Sequence, residues 1–256
     1  MSVTETVLNA FTGIFVNFDA DAAANLLAPD YIQHNVAVPT GAAPILGFIP
    51  ALAKSGITVT TYRVLTEGDL VVLHNTYDNA GILGAESLVA FDVFRVADGK
   101  VIEHWDNLTP VAAPNPSGHT QTDGPTEVTD RSATADNKAL VTGFVETILI
   151  DGELERITDF ISTETYIQHN SAIADGLDGL GAGFGAMAAQ GIAMVYTDLQ
   201  IVVAESNFVF TASEGTLSDA PTAFFDLFRV ADGKIVEHWD VVTEIPAVLP
   251  HDNGKF

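Results

Sequence analysis

Apolar residues near the start of the chain recur at helical spacing. Val7, Phe11, Ile14, Phe15 and Phe18 form one stripe, and Ser2 and Glu5 have capping-box spacing, which predicts a helix over 2–18. The same rhythm returns at Leu140, Val141, Phe144, Val145 and Ile148 and predicts a helix over 136–150. Shorter helices are predicted over 21–27 and 153–161, and a third pair over 43–54 and 177–190. Pro44 suits a first helical turn, whereas Pro50 is expected to kink its helix or end it early. The run GLDGLGAGFGAMAAQG weakens the last helix, because each interior glycine costs helix stability. The pattern then changes to strands. Residues 58–77 read as two strands joined at Glu67-Gly68-Asp69, and residues 88–111 as two longer ones joined at Ala97-Asp98-Gly99. The second half repeats this with strands near 195–204, 207–214, 221–231 and 234–244.

Helices followed by strands, twice over, predict an α+β fold in each half, with an antiparallel sheet wrapped around helices. Such a curved sheet closed by helices makes a cone with an open mouth and an apolar interior, where pockets commonly sit. Two further repeats support the duplication. FDVFRVADGKVIEHWD from Phe91 returns as FDLFRVADGKIVEHWD from Phe225, identical at thirteen of sixteen positions; YIQHN occurs at Tyr31 and at Tyr166. The offsets, 134 and 135 residues, nearly agree and are too long for a solenoid. The chain divides into a first domain over 1–112, a linker over 113–134 rich in Pro, Gly, Ser, Thr and Asp, and a second domain over 135–256.

Charge narrows the partners. Thirty-four acidic residues against ten Lys plus Arg give a net charge of −24, which repels phosphate backbones and anionic membranes, so neither nucleic acid nor membrane is expected. The start, MSVTETVLNAF, has no basic region ahead of an apolar segment, so no signal peptide is expected and the cytoplasm is the default. The absence of cysteine removes disulfides, thiolate nucleophiles and Cys-based zinc sites.

The candidate chemistry lies in the repeated motifs. Strand alternation sends His104 and Asp106 to one face and Trp105 to the other, as it does His238, Asp240 and Trp239. The position of Asp92 depends on the turn. A two-residue Asp98-Gly99 turn pairs Val93 with His104; a three-residue Ala97-Asp98-Gly99 turn pairs Asp92 with His104 and is favoured. It places Asp92, Phe94, Ile102, His104 and Asp106 on one face, with Phe91, Val93, Val101, Glu103 and Trp105 on the other, facing the domain partner. A carboxylate beside an imidazole fixes its tautomer and raises its basicity, and in an apolar cup a carboxylate itself becomes a base or a neutral acid. In YIQHN, His34 and Asn35 are the residues expected at the mouth of the cup, with His169 in the second copy. His74 has no second counterpart, since Ala212 aligns with it. Three histidines plus a carboxylate suit zinc or iron, but no compact ligand motif accompanies them, and no metal or other cofactor is expected. His119 and His251 fall in the linker and the tail and receive no role.

With YIQHN and the FRVADGKVIEHWD hairpin repeated in the second half, and EGDLVVLH in the first, the chain resembles the SnoaL-like branch of the NTF2-like superfamily. The resemblance implies two tandem NTF2-like (cystatin-like) cone-shaped barrels, each with a pocket between curved sheet and helices. The best-known members of the branch are polyketide cyclases, which close a ring by aldol condensation without a metal, using a pocket Asp/His pair. The matching residues are Asp92, His104 and Asp106 with His34 and His74 nearby, and Asp226, His238, Asp240 and His169 in the second copy. Because NTF2-like domains often pair through their sheets, the resemblance also implies a pseudo-dimer of the two halves, with further homo-oligomerisation left open. Three readings follow. The first is an acid–base enzyme acting on a small hydrophobic or carbonyl-containing molecule by aldol, cyclisation or isomerisation chemistry. The second is a small-ligand binding protein, and the third a structural module with filled cups.

Overall fold

A computed structural model describes residues 1–256. The chain forms two compact units, one of Met1–Val111 with Pro246–Phe256, the other of Ala112–Ile245. In the first unit, helices α1 (Val3–Phe15) and α2 (Ala20–Ala24) precede strand β1 (Leu27–Gln33) and helix α3 (Ala42–Ser55). Strands β2 (Thr58–Glu67), β3 (Leu70–Asp78), β4 (Ser87–Ala97) and β5 (Lys100–Pro110) follow, in a five-stranded sheet of order β1-β5-β4-β3-β2. The second unit repeats the order. It contains α4 (Thr134–Phe144), running into a π-helical segment Val145–Ile150, α5 (Ile157–Phe160), β6 (Ile167–Gln168) and α6 (Gly176–Ala189). Its sheet adds β7 (Met194–Glu205), β8 (Phe208–Leu217), β9 (Ala220–Ala231) and β10 (Lys234–Glu244), ordered β6-β10-β9-β8-β7. No helix is long and apolar enough to cross a membrane.

Local chemistry explains the helices. The capping box forms at α1: Glu5 N–H donates to Ser2 Oγ at 3.1 Å, and Ser2 N–H donates to the Glu5 carboxylate at 2.7 Å. Pro50 lies inside α3 without ending it. The missing hydrogen bond costs about 3 kcal/mol, and burial of Ile49 and Leu52 against the core offsets a cost of that size. The glycine-rich run is helical too, for a packing reason. A Cβ at Gly179 would meet the Ala174 carbonyl oxygen at 2.3 Å, and one at Gly183 would meet Ile173 at 3.0 Å, so the glycines let α6 lie close against the segment before it. In each unit one face of the sheet receives the helices. Val7, Phe11 and Ile14 of α1 and Ile49 and Leu52 of α3 join Leu73, Tyr77, Leu88 and Ala90 in the first core. Val141, Phe144 and Ile148 join Val209, Phe228, Val230 and Ile235 in the second.

The β4–β5 hairpin differs from the expected turn. Asp98 and Gly99, at φ +50° and +73°, form a two-residue turn between Ala97 and Lys100. A bulge then pairs Val96 with Val101 but Arg95 with Glu103, which leaves one extra residue on β5. That residue reverses the face of everything beyond it. His104 therefore pairs with Phe94 rather than Asp92, and Asp106 pairs with Asp92. Asp92, Phe94, His104 and Asp106 still share a face, but the bulge puts them there, not a three-residue turn. The same bulge separates Ile235 from Glu237, so Phe228 pairs with His238 and Asp226 with Asp240.

The boundaries also differ from a linker over 113–134 and a second domain reaching 256. Asn115 donates to the carbonyls of Gln168 at 2.6 Å and Ile173 at 2.9 Å within the second unit. Asn253 donates to the Gln33 carbonyl at 2.9 Å within the first. Both segments satisfy backbone groups at the sheet edges carrying β1 and β6, where carbonyls are otherwise left open.

Candidate functional site

In the second unit, β9 and β10 carry Asp226, His238 and Asp240 on the face that meets the helices. They line a cavity of about 420 Å³ whose walls include Phe144, Ile148, Leu180, Phe184 and Met194. Gln168, from YIQHN, sets the state of the histidine. Its side-chain oxygen accepts the backbone N–H groups of His169 at 3.0 Å and Asn170 at 3.1 Å, so that oxygen is an acceptor. His238 Nδ1, 2.9 Å from the same oxygen, must therefore carry a proton. The other ring nitrogen, Nε2, then faces Asp226 Oδ1 at 2.9 Å. One further proton lies in that contact. Burial pulls the His238 pKa down, but the bond to Asp226 and the charges of Asp226 and Asp240 outweigh it and hold the pKa above the ordinary histidine value. The contact with Asp226 thus favours the imidazolium form of His238.

The two aspartates have different surroundings. Asp226 accepts the Tyr196 hydroxyl at 3.2 Å. Asp240 accepts Asn170 Nδ2 at 2.7 Å. Burial is the largest influence on Asp240 and raises its pKa; His238 opposes the shift and the Asp226 charge reinforces it. Burial and the charge of Asp226 likewise push the Tyr196 hydroxyl well above its usual range, so it stays a donor. Phe228 stacks on the His238 ring with centroids 4.9 Å apart.

The first unit repeats the constellation with changes. His104 Nδ1 lies 2.9 Å from Gln33 Oε1, which also accepts Asn35 N–H at 2.9 Å. His104 Nε2 stands 3.4 Å from Asp92 Oδ1, a looser contact than in the second unit. Asp92 Oδ2 accepts Asn75 Nδ2 at 2.7 Å and the Tyr77 hydroxyl at 2.9 Å, and Asp106 accepts Asn35 Nδ2 at 2.6 Å. Lys255, buried, donates to the Asp106 carbonyl. Burial lowers its pKa against the pull of Asp106 and Asp92.

Each unit places a tyrosine hydroxyl on its first aspartate, but from different strands. Tyr77 comes from β3. At the matching place in β8 stands Gly215, where a Cβ would lie 1.9 Å from the Val195 carbonyl oxygen. The hydroxyl is supplied instead by Tyr196 of β7, the residue paired with Gly215.

Three predicted site residues do not join these clusters. His34 stacks on Trp105 at 4.9 Å and its Nε2 lies 3.1 Å from Glu103, on the sheet face opposite Asp92 and His104. His169 does the same with Trp239, at 4.5 Å, and Glu237, at 2.8 Å. His74 pairs with Phe91, stacks on it at 4.4 Å and lies 3.0 Å from Arg63 Nη1. Bulges and strand parity put all three behind the sheet. The residues that sequence reasoning passed over are Gln33 and Gln168, Tyr77 and Tyr196, Asn75 and Lys255. The preserved Gln in both copies of YIQHN was the available signal for the first pair.

Residues 8–104 match the family model described as a SnoaL-like domain. No curated protein matches the chain. Among solved structures, TsrD from Streptomyces laurentii is 25% identical over 41% of this chain and 87% of its own, with a TM-score of 0.36. IdmH from Streptomyces antibioticus, described as a candidate polyketide cyclase, is 18% identical over 42% and 92%, with a TM-score of 0.35. A candidate ketosteroid isomerase from Kribbella flavida is 22% identical over 44% and 82%, with a TM-score of 0.36. Each alignment spans about two fifths of this chain.

Proposed function

We propose that the second unit binds a small, mostly apolar molecule with an enolisable carbonyl and moves protons on it. The observation that carries this reading is the pairing of a His238–Asp226 couple with a separate, half-buried Asp240 in one apolar hollow. The hollow, about 420 Å³, lies within the range typical of small-molecule sites. Asp240 is the base. Its raised pKa makes it a stronger proton acceptor than an ordinary carboxylate once ionised. It removes a proton from the carbon next to the carbonyl. His238 is the acid: its Nε2–H, which rests against Asp226, is shared with the carbonyl oxygen or passes to it as the enol forms. Asp226 and Gln168 orient His238 and keep it charged, and Tyr196 holds Asp226 in place. Return of the Asp240 proton to another carbon gives isomerisation; attack of the enol carbon on a second carbonyl of the same molecule gives an aldol closure. The same residue types in the first unit, with Asp106 as base and His104 as acid, support the same chemistry there. Their contact is looser, and a lysine stands beside them.

A second reading, ligand binding without turnover, draws on the hollow alone. The test is deuterium exchange in heavy water, followed by proton NMR on a panel of small cyclic ketones with the whole chain as catalyst. Loss of the α-proton signal faster than in buffer, reduced by Asp240→Asn and by His238→Gln and abolished when Asp106→Asn is combined with either, supports catalysis. Binding of phenols, which mimic an enolate, with no acceleration of exchange for any ketone would leave only the binding reading.

A further inference from the structure

A second cluster of ionisable groups stands behind the sheet of the second unit, and the cavity chemistry does not use it. His119 and Asp123, from the segment ahead of α4, meet His169 there. One ligand atom from each lies within 4.8 Å of the others. His169 Nε2 is 2.8 Å from Glu237, a buried carboxylate that Arg229 also holds at 2.6 Å. His119 Nε2 is 3.2 Å from Asp175. Both histidines thus have Nε2 against a carboxylate, the arrangement that orients imidazoles for metal ligation. Their other nitrogens turn toward one group. His169 Nδ1 is 2.7 Å from Asp123 Oδ1 and 2.8 Å from the Thr120 carbonyl, and His119 Nδ1 is 3.4 Å from Asp123 Oδ2.

The proton inventory of this cluster points to a cation. With each Nε2–H given to its carboxylate, a neutral imidazole presents a bare lone pair at Nδ1. Those lone pairs would face carboxylate and carbonyl oxygens, which are also acceptors. Two extra protons, making two imidazoliums, relieve the conflict. One divalent cation held by both Nδ1 atoms and Asp123, with the Thr120 carbonyl beside it, relieves it with the same charge. Two imidazoles and a carboxylate suit a borderline ion such as zinc, which takes four such ligands tetrahedrally.

We propose that His119, Asp123 and His169 form a zinc-class metal site that fastens the segment around residues 115–123 to the back of the sheet. It lies on the face opposite His238 and is independent of the cavity chemistry. The probe is Co²⁺, whose visible absorption reports nitrogen and oxygen ligands in a tetrahedral field. The whole chain, stripped with chelator and held in excess Mg²⁺ to occupy its many surface carboxylates, is titrated with Co²⁺ at pH 7.5. The expected result is one equivalent of tight, coloured binding, displaced by Zn²⁺. His119→Ala and Asp123→Asn each weaken it by on the order of 100-fold, while His251→Ala, in the first unit, leaves it unchanged. Both tested side chains are partly exposed, so these variants should fold, and circular dichroism checks that they do. No coloured complex, or equal binding by wild type and both variants, overturns the site and leaves the cluster as protonated histidines on carboxylates.

Discussion

Gln168→Leu removes one oxygen that three donors share, so its cost follows from the geometry around it. The substitution keeps the side chain's bulk and deletes the acceptor for His238 Nδ1–H, His169 N–H and Asn170 N–H. His169 N–H keeps a partner, because it also donates to the His238 carbonyl at 2.9 Å. Two donors remain stranded. His238 is buried and Asn170 only partly so. An orphaned buried donor costs about 1–3 kcal/mol, so the expected loss is about 2–4 kcal/mol after discounting the more accessible Asn170. Urea unfolding measures it, read through a probe in the second unit so that separate unfolding of the two units is resolved. The same experiment on Gln33→Leu should give a loss of similar size, since Gln33 Oε1 holds His104 and Asn35 in the same way. A loss below about 1 kcal/mol in both variants would refute the claim that this amide fixes the histidine tautomer.

Other consequences are direct. Tyr196→Phe and Tyr77→Phe each remove a hydroxyl from a buried aspartate and should cost about 1–3 kcal/mol by thermal unfolding. Gly215→Ala should unfold the second unit or reduce its expression sharply, because its Cβ has nowhere to go beside Val195. The histidines in front of and behind the sheets should give opposite pH signatures. His238 has a raised pKa, so the stability it contributes is complete below about pH 6.5 and lost as pH rises through its folded pKa. The stability difference between wild type and His238→Gln should therefore shrink on going alkaline. His34 has a pKa lowered chiefly by burial, despite Glu103, so its contribution is present above about pH 6.5 and fades as pH falls. His34→Gln should then gain on wild type in mild acid.

Much of this was legible in the residues, and the exceptions have physical causes. The capping box, the helix stripes and the strand runs each carry their own local signal, and the elements fall within a few residues of where those signals end. The grouping of Asp92, His104 and Asp106 was legible only through parity, and parity survived because two departures cancelled. The Asp98-Gly99 turn is one residue shorter than expected, and the bulge after it adds that residue back. Nothing in the local sequence marks Ile102 or Val236 as extra. Of the YIQHN residues expected at the cup, Asn35 reaches it and His34 does not. Tyr31, Gln33 and Asn35 serve the site, and His34 lies behind it, because β1 joins β5 in parallel with Gln33 opposite His104. That pairing links residues 71 apart, and no local pattern reports it. Lys255 and Tyr196 were hidden for the same reason.

The account rests on His238 being an imidazolium held by Asp226 beside a separate carboxyl. Nitrogen-15 NMR of the histidine rings across pH 5–9 tests this most directly, with the His238 resonance assigned through His238→Gln. The account predicts that His238 titrates above an ordinary histidine, with Nδ1 protonated throughout, and that Asp226→Asn lowers its pKa, since burial is then opposed by Asp240 alone. A His238 ring that is neutral at pH 6, or one whose titration Asp226→Asn does not move, would contradict it.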